Sequence, residues 1–89
     1  MKKSAILTLY GRVQGVGFRY FARQKADLMN ITGFVKNQYD GSVYIEAEGE
    51  SEQLELFIIT CKQGPWAARV VNSEVQYCPL QGFTEFKIM

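Results

Sequence analysis

Arg19 follows a stretch broken by three glycines, Gly11, Gly15 and Gly17. Glycine takes positive φ without steric cost, so such a loop can curl until several backbone N–H groups converge. Where a helix starts immediately afterwards, its first N–H groups lack intrahelical acceptors, and its dipole adds partial positive charge. Together these features make an anion cradle, and a phosphate dianion suits it. Arg19, at the junction, brings a planar, permanently charged fork that binds two oxygens at once. A P-loop is excluded because no Lys-Ser/Thr follows the glycines, and a dinucleotide site because no acidic residue closes the next strand. Taken alone, the same residues also read as ordinary turn glycines and a solvated arginine.

Other chemistry is limited by what the chain lacks. It has no histidine, and Cys61 and Cys78 form no CxxC pair, so a metal site of the usual ligand types is not expected and no cofactor is implied. With no imidazole to activate a thiolate, the cysteines read as reduced, partly buried thiols. Arg12, Arg23 and Lys36 read as surface charges that add to a local positive field. Glu46, Glu48 and Glu50 read as solvated charges on a strand face and loop.

The elements that must position these residues follow from periodicity. Residues 5–10 form a strand apolar on both faces, which places it centrally in a sheet. After the loop, Phe18, Ala22, Ala26 and Met29 lie on one helical face, and the helix stops near Asn30. A second strand covers residues 31–39. Asp40-Gly41 predicts a two-residue type I′ hairpin turn, and residues 42–48 alternate between a buried and a wet face. Ser51 is placed to cap a second helix whose stripe is Leu54, Phe57, Ile58 and Cys61, and Gly64-Pro65 ends it. A fourth strand spans 69–77, with Val71, Val75 and Tyr77 on one face, and a short last strand spans 83–88. The order β-α-β-β-α-β gives an α+β sandwich of the ferredoxin-like type, a four- to five-stranded antiparallel sheet with two helices on one face.

Eighty-nine residues with 47% hydrophobic content suit one globular domain, residues 1–89. Ten basic and nine acidic residues leave a net charge of +1, too little for a nucleic-acid or anionic-lipid footprint. RNA-recognition domains share the element order, but the chain offers only Gly33-Phe34-Val35 of the signature they need. Lys2-Lys3 precedes an apolar run that Gly11-Arg12 breaks and that has no cleavage site, so no signal peptide is read. No run approaches a membrane span, and a cytoplasmic protein is expected.

Gly11-Arg12-Val13-Gln14-Gly15-Val16-Gly17-Phe18-Arg19 closely resembles the first signature of the acylphosphatase family. The second signature follows in order as Gly33-Phe34-Val35-Lys36-Asn37, then Gly41, Val43 and Gly49, and the likeness continues through Gly64-Pro65 and Ala68-Arg69-Val70. The resemblance implies the same ferredoxin-like fold. It also implies metal-free hydrolysis of the carboxyl–phosphate bond of a small-molecule acyl phosphate, with no nucleic acid or membrane as partner and a monomeric enzyme. In the roles it implies, Arg19 grips the phosphate and Asn37 orients the attacking water. The backbone amides of Gln14, Gly15, Val16, Gly17, Phe18 and Arg19 complete the cradle. Such domains also occur inside larger maturation proteins, but the length here points to an independent enzyme. Trp66 and Met89 depart from the family pattern, and both are expected to lie away from the site.

Overall fold

The computed structural model describes residues 1–89 in the order β1 (Lys2–Arg12), α1 (Phe18–Leu28), β2 (Thr32–Asn37), β3 (Val43–Glu50), α2 (Ser51–Gln63), β4 (Arg69–Cys78) and β5 (Phe86–Ile88). The strands form one sheet in the order β4-β1-β3-β2-β5. β1, apolar on both faces, is an interior strand, as its pattern requires. The architecture is the ferredoxin-like α+β fold read from the element order.

One face of the sheet carries the core. Ala5, Leu7 and Leu9 of β1, Val43, Ile45 and Ala47 of β3 and Val35 of β2 pack in a single buried cluster with residues of both helices. α1 contributes Phe18, Ala22 and Ala26, and α2 contributes Leu54, Phe57, Ile58 and Cys61, as helical spacing selects, while Met29, the last residue of the α1 stripe, is only partly buried against the cluster. Each large side chain buried this way contributes about 1.5–3 kcal/mol. α1 ends on Asn30 in the left-handed region (φ 56°), which lets the Ile31 N–H reach back to the Ala26 carbonyl at 2.8 Å.

Four local expectations are corrected. β5 is not antiparallel but runs parallel to β2, with Gly33 opposite Phe86 and Val35 opposite Ile88. To reach that edge, residues 79–85 cross from β4, at the far side, over the face that the helices leave open. The hairpin is not type I′. Only Gly41 has positive φ (92°), and the Gly41 N–H closes a turn on the Gln38 carbonyl (3.1 Å), giving a longer loop. Ser51 does not cap α2; Glu50 holds the cap position, and no side chain caps the helix. Val71 is exposed rather than sharing a face with Val75, because a bulge opposite Tyr10 and Gly11 pairs Val70 and Asn72 with β1 and leaves Val71 between them.

The crossing segment also overturns the reading of Glu48 as a solvated charge. Glu48 is 2% exposed, and its carboxylate accepts the N–H groups of Gln81 (2.6 Å) and Gly82 (3.1 Å). Phe83 of the same segment meets the Phe34 ring edge-on at 6.0 Å.

Candidate active site

β1, β2 and β5 run in one direction, so Arg12, Asn37 and Ile88 finish their strands at the same end of the sheet. The glycine loop leaves β1 at that end, and α1 begins there. Val13 before the loop and Phe18 after it are both buried, so the segment between them is pinned at each end. Gly15 and Gly17 take φ of 71° and 78°, which side-chain-bearing residues rarely adopt. Their open sides face free space.

This conformation leaves donors unused. The N–H groups of residues 14–17 donate to no acceptor in the chain, and the first helical bond is from the Phe21 N–H to the Gly17 carbonyl (3.0 Å). Phe18, Arg19 and Tyr20 precede that bond, as the opening residues of any helix do. α1 has no side-chain cap and no acidic residue in its first turn. The result is a cluster of N–H groups with partial positive charge and no internal anion to neutralise it.

Arg19 and Asn37, far apart in sequence, line one cavity of about 230 Å³ with Gly15, Gly17 and Phe18; Val13, Tyr20 and Ile88 complete its wall. Both side chains are exposed. The Asn37 amide makes no hydrogen bond within the chain, while Arg19 Nη1 donates to the Met89 main-chain oxygen at 3.1 Å. Met89 therefore does touch the site, contrary to expectation, because β5 delivers it beside α1. A more polar cavity of about 650 Å³ adjoins the first at Asn37 and is lined by Gln14, Lys36, Gln38, Tyr39 and Asp40.

Gln14 has a larger part than its backbone alone. Its Nε2 donates to the carbonyls of Gln38 (2.7 Å) and Ser42 (2.9 Å), tying the glycine loop to the hairpin that follows Asn37. A glutamine in a loop carries no signal for such a bridge until the hairpin's position is known. Asp40, on the rim of the polar cavity, is turned back on its own hairpin. It accepts the Ser42 hydroxyl and N–H, which hold its carboxyl below the usual carboxylate range. Val16 lines neither cavity and packs against the core. Arg23 pairs with Asp27 at 3.9 Å outside both, and Lys36 Nζ lies 5.3 Å from the centre of the Tyr44 ring. Burial raises the Cys61 thiol well above its ordinary value, which keeps it protonated and inert. No three His, Cys, Asp or Glu residues converge on a point that would hold a metal ion, and no helix is long and apolar enough to cross a membrane.

Relatives share this architecture over almost the whole chain. The acylphosphatase family model matches residues 5–88. An acylphosphatase of Thermus thermophilus is 47% identical over 78 residues, covering 88% of this chain and 89% of that protein. One from Thermotoga maritima is 42% identical over 86 residues, covering 97% and 96%. The crystal structure of acylphosphatase from Bacillus subtilis superposes with a TM-score of 0.91 at 40% identity, covering 100% of this chain and 99% of that one. The chain belongs to the acylphosphatase family, enzymes that hydrolyse acyl phosphates.

Proposed function

We propose that residues 1–89 form one acylphosphatase domain in which Arg19 and the amides of Gln14, Gly15, Val16, Gly17, Phe18 and Arg19 hold the phosphate and Asn37 orients the attacking water. The observation that carries this reading is the shared cavity: Arg19 and Asn37 face one space beside a set of unused N–H groups.

The reaction asks little of the protein beyond placement and charge. Water attacks phosphorus in line with the acyl oxygen. A new oxygen–phosphorus bond forms, and the bond from phosphorus to the acyl oxygen breaks, its electron pair leaving with the carboxylate. The leaving carboxylate is weakly basic, so no general acid is required. Neither Arg19 nor Asn37 can act as a base, so a phosphate oxygen takes the proton from the water, and the products are a carboxylate and dihydrogen phosphate. Arg19 and the N–H groups offset charge on the transferring group, and Asn37 fixes the water along the line of attack. No metal or cofactor enters this scheme. The enzyme is read as a cytoplasmic monomer acting on small molecules.

The test is hydrolysis of benzoyl phosphate with EDTA present, followed by ultraviolet absorbance. Arg19→Ala and Asn37→Ala should each lower the rate by on the order of 10²–10³, the effect of losing one charge-stabilising donor, while circular dichroism stays that of wild type. Near-wild-type turnover in either variant would remove that residue from the mechanism. Loss of wild-type activity in EDTA would overturn metal independence.

A further inference from the structure

The phosphate cavity has two neighbours, reached past different residues. The polar one is entered at Asn37. The other, about 560 Å³, shares Gly17 and Tyr20 with the phosphate cavity and continues over Phe21 and Pro65. Its walls combine these apolar surfaces with Gln24 and the Arg23–Asp27 pair, whose charges offset one another at 3.9 Å. Phe21 is held edge-on against buried Phe18 at 5.9 Å, so this wall is fixed to the core. Tyr20 stands free. It is 79% exposed, makes no hydrogen bond and stacks on no other ring of the chain.

In-line displacement decides between the two neighbours. The attacking water and the leaving oxygen lie on opposite sides of phosphorus. With the water held at Asn37, the acyl group must depart away from Asn37 and its polar cavity. The other route leads over Gly17 and Tyr20. We infer that the acyl tail of the substrate lies along Tyr20, and that this side chain selects aromatic acyl phosphates over acetyl phosphate. The inference rests on the assignment of the water to Asn37 given above. An aromatic acyl group stacked on Tyr20 and lying toward Phe21 and Pro65 would cover surface that is otherwise wet, whereas an acetyl group is too short to reach it. Tyr20 thus acts on specificity through the non-reacting part of the substrate.

The test compares kcat/KM for benzoyl phosphate and acetyl phosphate in wild type, Tyr20→Ala, Tyr20→Phe and Tyr39→Ala. Tyr39 lines the polar cavity and serves as the directional control. The benzoyl-to-acetyl ratio should fall about tenfold in Tyr20→Ala, as expected for loss of an aromatic pair. It should be restored in Tyr20→Phe, which keeps the ring, and keep its wild-type value in Tyr39→Ala. An unchanged ratio in Tyr20→Ala, or equal losses on both substrates, would overturn the inference and leave the Arg19 and Asn37 roles intact. A fall in the ratio with Tyr39→Ala instead would place the tail on the other side and overturn it too. Full activity of Asn37→Ala on both substrates would instead break the underlying assignment of the water.

Discussion

The two helices begin at opposite ends of the sheet, and their first turns are built in opposite ways. α2 starts with Glu52 in its first turn, and its Ser51 N–H is taken by the Met1 carbonyl at 2.9 Å. Neither helix has a side-chain cap, but α1 starts from Gly17 with no acid in its first turn and a preceding loop whose N–H groups have no acceptor in the chain. The same contrast recurs at the crossing segment, where Glu48 supplies a carboxylate to the N–H groups of Gln81 and Gly82. At the Ser51 N–H and at Gln81 and Gly82, the chain answers donors with its own oxygens. At α1 the loop N–H groups are left without acceptors and Arg19 is added, its one hydrogen bond within the chain going to the Met89 main-chain oxygen, an arrangement that suits an anion supplied from outside. The site is thus defined as much by missing acids as by the residues present.

The most severe way to break this contrast is to give α1 the acid it lacks. Gly17→Asp should lower kcat/KM for acyl phosphates by on the order of 10²–10³ relative to Gly17→Asn, which meets the same strain at φ 78° without the charge, because a carboxylate would occupy the cradle and repel the substrate. Equal kinetics in the two variants would show that the empty first turn is not what binds phosphate. A smaller effect, on stability alone, is expected at Glu48. Glu48→Ala leaves two N–H groups without their charged acceptor and should lower unfolding free energy in urea by about 1.5–3 kcal/mol. An unchanged urea midpoint would mean that the crossing segment is held by Phe83 and not by the carboxylate. The smallest effect belongs to α2. Glu52→Gln removes only a favourable charge near the helix dipole, for a loss of about 0.3–1 kcal/mol by the same measurement and no change in KM.

How far these features could be read in advance depended on whether they are local. The stripes Phe18, Ala22, Ala26, Met29 and Leu54, Phe57, Ile58, Cys61 are set by helical period, and the structure buries all of them except Met29, which is partly buried at the end of α1. The loop of Gly15 and Gly17 was legible because positive φ leaves a compositional mark. Asn37 was legible only through its motif, since no local pattern says that the end of β2 lies beside the start of α1. Alternation assigned Glu48 to the correct face of β3, but it cannot say that residues 79–85 cross that face and bury it. The parallel pairing of β5 and the contact of Met89 with Arg19 depend on that same tertiary path, and the bridge from Gln14 depends on where the β2–β3 hairpin lies. The Val71 bulge shifts the phase of β4 by one residue, which period-2 reading cannot anticipate.

The division of labour between Arg19 and Asn37 is tested most directly by binding of inorganic phosphate, measured by calorimetry in wild type, Arg19→Ala and Asn37→Ala. Arg19→Ala should weaken phosphate binding at least about tenfold, the loss of a charge-assisted contact, whereas Asn37→Ala should bind phosphate as wild type does while failing to turn over substrate. Equal loss of phosphate affinity in both variants, or wild-type affinity in Arg19→Ala, would contradict the account.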